Sequence, residues 1–171
     1  MNTEPSISTL PLKLIETLRL ELQQYGEMLA LLERQQESVM ARAADDVLNS
    51  VVSINEQMGR IQSARQARQA CQNEVARLLQ KPGEPAFGVL IPLLPEKFQF
   101  PVQTLVRENN EILARIQRRA GQNHLLLTRS LQMMQQFMNA LMPANAPTTY
   151  NGDGHLQQAN KPAQVLYEAI G

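Results

Sequence analysis

The chain has 171 residues and 16 basic side chains that balance 16 acidic ones, so its formal net charge is zero. Without a positive balance, composition gives no reason to expect binding to nucleic acid or to an anionic membrane. The hydrophobic fraction of 43% is too high for a disordered chain, and a single cysteine, Cys71, excludes an intramolecular disulfide. No signal peptide or membrane span is evident, so we expect a cytoplasmic protein without stable membrane insertion.

A first helix is predicted from about residue 12 to about residue 42. Its seam follows steps of three and four residues, which is the repeat of a coiled coil. The seam consists of Ile15, Leu18, Leu22, Tyr25, Leu29, Leu32, Gln36 and Val39. Leu14, Met28 and Leu31 widen this stripe, so the helix is expected to contact two neighbours.

A second helix is predicted from about residue 45 to about residue 79, with Asp45 or Asp46 as its N-cap. Lys81-Pro82-Gly83 is expected to end it. Arg65 and Arg68 occupy places where a strict heptad requires apolar groups. Its predicted apolar stripe is Val47, Val51, Ile54, Met58, Ile61, Ala64, Cys71, Val75 and Leu78.

A connector over residues 80–101 holds five of the ten prolines and is unusually apolar for a loop. Its apolar residues are Phe87, Val89, Leu90, Ile91, Leu93, Leu94, Phe98 and Phe100. They either cover one end of a helical bundle or form an exposed docking patch. Burial is favoured, because large exposed apolar patches promote aggregation.

A third helix is predicted from about residue 102 to about residue 142. Apolar residues recur along it at seven-residue steps, at Val106, Leu113, Ala120, Leu127, Met134 and Leu141, and a second strip runs beside them. Asn123 and His124 lie on or near this face, where polar side chains usually fix helix register, and both are expected in the interior. Four of the eight methionines fall in the last ten residues of this predicted helix, positions 133–142, which suits an adaptable binding surface.

These lengths predict an all-α fold of three long helices in an up-down-up antiparallel, coiled-coil-like bundle. The bundle domain covers residues 1–142, with helices at about 12–42, 45–79 and 102–142 and the Pro-rich connector 80–101. A flexible C-terminal tail, residues 143–171, is expected to follow. Within it, the weakly amphipathic segment Pro162–Ile170 is expected to fold back over the methionine-rich surface.

The sequence contains no recognisable metal-binding, phosphate-binding or catalytic motif. The two histidines, His124 and His155, lie far apart, and neither a zinc motif nor a Gly-rich phosphate loop is present. We therefore expect no metal, no cofactor and no enzymatic activity. The second and third helices each carry a cluster of arginines. We interpret these clusters as solvent-exposed helix faces rather than as a surface that binds nucleic acid. A self-associating structural coiled-coil scaffold remains the alternative to a binding module.

A local pattern near the end of the third helix is more specific than its periodicity. It comprises Asn123, the pair Leu126-Leu127, Leu131 and Leu141, followed by Thr149-Tyr150 and Asp153-Gly154. This pattern resembles the FlgN-like flagellar export chaperones, which escort the hook–filament junction (hook-associated) proteins. The resemblance implies a non-enzymatic cytosolic chaperone. It would bind C-terminal amphipathic segments of those proteins, prevent premature assembly and deliver them to the type III export gate.

The resemblance also implies which residues act. The client segment would contact Leu126, Leu127, Leu131, Met134, Phe137, Met138 and Leu141, although about half of such a face is expected to be core. Tyr150, Asp153 and Gly154 would dock at the export gate. Monomer and homodimer both stay open, because the seam of the first helix can pair within or between chains.

Overall fold

The structure is a computed structural model that describes residues 4–81, 83 and 85–141, with side chains described between residues 9 and 140. It contains α1 (Glu4–Met40), α2 (Ala44–Leu78), α3 (Phe87–Leu90), a 3-10 turn (Ile91–Leu93) and α4 (Glu96–Leu141). Among the described residues all regular structure is helical, which confirms an all-α fold with three long helices. The chain divides into two compact units, Met1–Thr128 and Arg129–Gly171.

Polar side chains show how α2 runs along α1. The amide of Gln57 donates to the backbone carbonyl of Gln24 over 2.9 Å, and Gln35 donates to the hydroxyl of Ser50 over 3.1 Å. Residue numbers rise on α1 as they fall on α2, so the two helices are antiparallel. These two bonds matter because a buried amide donor left unsatisfied would cost about 1–3 kcal/mol.

Two asparagines bind α4 to α1 in the same way. Asn109 donates to the carbonyl of Leu18 over 3.1 Å, and Asn123 donates to the carbonyl of Leu32 over 2.7 Å. Here residue numbers rise together, so α4 runs parallel to α1. The predicted up-down-up order is confirmed for the first unit.

The apolar core of the first unit lies at the end where α1 begins and α2 finishes. Each long helix and the connector contribute to it. Its buried members are Leu14, Ile15, Leu18, Cys71, Val75, Leu94, Phe98, Val102 and Leu105. Further along α1 the interior becomes more polar, since Ser50, Gln57 and Asn123 are buried there.

The seam of α2 differs from the predicted stripe. Ser50, Gln57, Ala64 and Cys71 recur every seven residues and are buried, whereas Val51 and Met58 are 43% and 58% exposed. The prediction was wrong at Val51 and Met58 because hydrophobicity alone placed the seam one residue too late. Partners on α1 satisfy the polar seam residues, so their burial costs little.

Prolines that were expected to precede helices lie inside them. Helix α1 begins at Glu4 and contains Pro11, and α4 begins at Glu96 and contains Pro101. The predicted starts at residues 12 and 102 therefore differ from the observed ones. Each proline removes one backbone hydrogen bond but has a φ angle that suits a helix. Pro11 is almost fully buried, and packing of its ring offsets that loss.

The connector is shorter and more ordered than the sequence suggested. Leu90, Leu94 and Phe98 are buried, which confirms that it covers one end of the first unit. Val89, Leu93 and Phe100 are exposed, and the expectation of burial was wrong for them. A short helix has two faces, so only one side of the segment can pack inward.

Both α1 and α2 end in Schellman motifs without glycine. After α1, Ala43 N–H donates to Ser38 over 3.0 Å and Arg42 N–H donates to Val39 over 3.2 Å, with Arg42 at a φ of 58°. The same pattern follows α2, with Gln80 at a φ of 56°. The N-cap of α2 is Ala43, which makes no side-chain cap bond, so the predicted Asp cap was wrong. Asp45 and Asp46 lie instead in the first turn, where the helix dipole favours acids.

Candidate binding surface

The second unit carries a row of exposed apolar side chains on α4. We name Leu131, Met134, Phe137 and Met138 the methionine strip; these side chains are 60%, 64%, 61% and 50% exposed. Their spacing places them within about 120° of the helix circumference, so they form one face. Every described side chain from residue 129 to residue 140 is exposed, and the strip is open to a partner.

The other predicted client contacts fall into different classes. Leu126 and Leu127 lie in the first unit and are half-buried, so part of their surface already contributes to packing. The side chain of Leu141 lies outside the described residues, as do Tyr150, Asp153 and Gly154. Of the seven predicted contacts, the four of the methionine strip are therefore the ones that the structure leaves open.

Asn123 and His124 have different environments although they are adjacent. Asn123 is buried, and its amide donates to Leu32 O over 2.7 Å and to Gln35 Oε1 over 3.0 Å. The predicted interior position of Asn123 is confirmed. His124 is exposed, and its predicted interior position was wrong. One helical step turns the side chain by about 100°, which is enough to move it from the interior to the surface.

A buried carboxylate of α1 contacts α2 within the first unit. Glu21 is 4% exposed; its Oε1 accepts from the hydroxyl of Tyr25 over 2.9 Å, and its Oε2 accepts from Arg68 Nε over 3.0 Å. Arg65 approaches the same carboxylate at 3.9 Å. Burial, and then the charge of Glu21, raise the pKa of Tyr25 to about 12. The network joins α1 to α2, and we interpret it as an ion pair that stabilises the fold.

Arg68 extends this network to the connector. Its guanidinium lies 5.8 Å from the ring centroid of Phe87 and donates to Gln72 Oε1 over 2.7 Å. Gln72 in turn donates to the carbonyl of Pro85 over 2.8 Å. In the sequence Arg68 interrupts the heptad and belongs to the arginine cluster of the second helix; its acidic partner on α1 explains why a charged residue is tolerated in the seam.

An open groove, which no sequence pattern indicates, lies beside the network. It consists of two adjoining depressions of about 440 and 740 Å³. Both are lined by Phe87, Gly88, Val106 and Asn110. We name it the interhelical groove, since α1 and α2 line one depression and α4 lines both.

Three arginines of the two clusters have acidic partners on α1. Arg119 lies 3.7 Å from Glu33 and also donates to Gln36, while Arg68 and Arg65 face Glu21. Within the described residues no group of three His, Cys, Asp or Glu side chains could hold a metal ion. No helix in that same part of the chain is long and apolar enough to span a membrane.

Three long helices with a polar-bonded interior and an exposed apolar strip define a helical protein that binds other proteins. A sequence profile described as FlgN protein matches residues 12–158, and the chain belongs to the FlgN family. Proteins of this family are non-enzymatic chaperones for flagellar hook-associated proteins during export. Neither a comparison with characterised proteins nor one with solved structures gave a significant match.

Proposed function

We propose that this chain binds C-terminal amphipathic segments of hook-associated proteins on the methionine strip, prevents their premature assembly and delivers them to the flagellar export gate. The observation that carries the proposal is the exposure of Leu131, Met134, Phe137 and Met138 on one helix face. Contiguous exposed apolar side chains of this size typically mark a protein interaction site.

The chemistry of the strip suits an amphipathic helix. Fully burying a leucine, methionine or phenylalanine side chain contributes about 1.5–3 kcal/mol, and each of these four partly exposed side chains contributes a share of that toward the cost of ordering a peptide. Methionine is unbranched and polarizable, which lets one surface accept more than one client sequence. Leu126, Leu127 and Leu141 remain proposed client contacts, each to be tested by itself.

The remaining parts of the proposal concern location and partners. Tyr150, Asp153 and Gly154 are proposed to dock at the export gate, and the cytoplasm is the proposed compartment. Any homodimer would have to use a surface other than the α1 seam, because most of that seam is buried within the chain. This observation also weighs against the alternative of a self-associating scaffold.

The proposal is tested by calorimetric titration of the full chain with C-terminal peptides of hook-associated proteins. Met134→Glu combined with Met138→Glu should weaken binding by at least about 100-fold, since two charges enter an apolar interface. The matched control is Gln132→Glu combined with Gln136→Glu, which adds the same charges on another face of the helix. It should bind like the unmodified chain.

Circular dichroism should show full helicity for both double variants, because all four positions are exposed. Equal affinity of the methionine and glutamine variants would contradict the assignment of the strip. A chain that ignores the peptides and forms concentration-dependent oligomers in light scattering would instead support the scaffold.

A further inference from the structure

The interhelical groove has the form of a site for one more helix. Helices α2 and α4 are both bonded to α1, through Gln57 and Asn109 among others, and the groove opens beside α1. Three-helix arrangements of this kind leave one position of a four-helix bundle unfilled. The floor of the groove includes Leu18 and Tyr25 of α1.

The groove is long enough for several helical turns. On α4 its lining extends from Phe100 to Ala114. At 1.5 Å per residue this is about 20 Å, the length of a helix of about 13 residues. Phe100 is 75% exposed at one end of this stretch, so an apolar partner side chain has a surface to pack against.

The groove carries an excess of positive charge beside Arg65. The side chain of Arg65 is 58% exposed, and the nearest carboxylate, Glu21, is 3.9 Å away and already bonded to Arg68. Arg107 and Glu111, which also line the groove, lie 3.8 Å apart and offset each other. A ligand carboxylate beside Arg65 would therefore gain an ion pair without displacing one.

We propose that the interhelical groove binds a second amphipathic helix of the hook-associated client. This helix has about 13 residues or more, an apolar face and a carboxylate at the edge of that face opposite Arg65. The inference rests on the proposed function, because it takes the client from there, but it assigns a surface on the first unit that is separate from the methionine strip.

Segments of the chain itself fit this description less well. Pro162–Ile170 is shorter than the groove, and its acid, Glu168, lies two residues from both Leu166 and Ile170. Residues two apart on a helix face away from each other, so Leu166 and Ile170 would point away from the acid. The methionine strip of a second copy offers no acid at all, since residues 129–141 contain neither Asp nor Glu.

Gly88 allows a direct test. It lines both depressions, and a side chain added there would meet nothing within 4 Å. Gly88→Cys in the full chain, labelled with a benzophenone maleimide, is mixed with each hook-associated protein and irradiated. Gly121→Cys is the matched control, because it also opens onto free space. Native Cys71 is 2% exposed and gives little background labelling.

The expected result is cross-linking from position 88 to one helix of the client, with several-fold lower yield from position 121. In a separate titration with the whole client, Gly88→Met should fill the groove and lower affinity about tenfold, whereas Gly121→Met should not. Arg65→Glu should also lower affinity, and this effect should shrink at high salt.

Other outcomes overturn the inference. They are equal yields from positions 88 and 121, cross-links to residues 159–171 of the same chain or to a second copy, and unchanged client affinity of Gly88→Met. If the methionine-strip variant alone loses binding, the groove assignment fails and the proposed function stands. If the unmodified chain forms no complex with any hook-associated protein, both fail.

Discussion

The side-chain amide of Asn123 donates a hydrogen bond to the backbone carbonyl of Leu32 over 2.7 Å. The same relationship recurs two heptads earlier between Asn109 and Leu18. Two amides at equal spacing thus fix how α4 lies along α1. A polar residue in an apolar seam typically specifies register at some cost in stability.

Replacing Asn123 with alanine should lower the free energy of unfolding by about 1–3 kcal/mol, because Gln35 Oε1 loses its donor in a buried place. Asn123→Asp should cost more, since a carboxylate cannot donate to Leu32 O and its charge would be buried. Urea unfolding followed by circular dichroism measures both. Gln117→Ala, at an exposed position of the same helix, should change stability by less than about 0.5 kcal/mol.

The ion pair of Glu21 and Arg68 predicts that replacing Arg68 destabilises the fold far more than replacing Arg65. Arg68→Met should cost about 3–5 kcal/mol, because it leaves a buried carboxylate poorly compensated. Arg65→Met should cost less than about 1 kcal/mol, since that side chain is exposed and 3.9 Å away. Chemical denaturation compares the two variants.

The double variant Glu21→Leu with Arg68→Met is the control for this interpretation. Removing both charges should recover most of the stability lost in Arg68→Met. A double variant as unstable as Arg68→Met alone would show that packing against Phe87, rather than the ion pair, accounts for the loss.

Tyr25 predicts a change of stability at alkaline pH. Its pKa rises from 10.0 to about 12 in the folded chain. Below pH 10 both states keep the proton, so the contribution is constant; between pH 10 and 12 mainly the unfolded chain loses it. The free energy of unfolding should therefore fall by about 2–3 kcal/mol as pH rises through this range.

Tyr25→Phe isolates this effect from other groups that titrate at high pH. The slope of stability against pH should be smaller in the variant, and ultraviolet titration should lack one late-ionising tyrosine. Identical slopes in the two chains would remove Tyr25 as the source.

The Schellman motif after α1 predicts a stabilising substitution. Arg42 has a φ of 58°, which costs an ordinary side chain about 1 kcal/mol and glycine nothing. Arg42→Gly should raise the thermal midpoint slightly, whereas Arg34→Gly, within α1, should lower it because glycine weakens a helix interior. A decrease for both would show that the left-handed residue is not strained.

The three long helices and their order were predictable from the sequence, because apolar residues that repeat about every 3.5 to 3.6 positions produce a helix with one apolar face. The prediction failed where a polar residue takes the place of an apolar one. Ser50 and Gln57 are buried only because Gln35 and Gln24 lie opposite them on another helix. No local pattern contains that pairing, so hydrophobicity alone favours Val51 and Met58 in their place.

The candidate binding surfaces show the same limit. The methionine strip was predictable, because its residues share one helix and their spacing is visible in the sequence. The interhelical groove was not, since Phe87, Arg65 and Val106 belong to three separate helices. The exposure of His124 beside buried Asn123 was likewise undetermined, because periodicity alone did not fix the edge of the apolar face.

The main apolar core occupies one end of the first unit, and the interior toward the α1–α2 turn contains more buried polar side chains. Water competes for amide partners far better than it competes for methyl groups, so brief local opening should begin near Met40 and Ala44. Amide protons there should exchange with deuterium sooner than those around Leu14 and Val75. The backbone hydrogen bonds at the two ends of the bundle would thus open at different rates. Those at the end covered by the connector would open last.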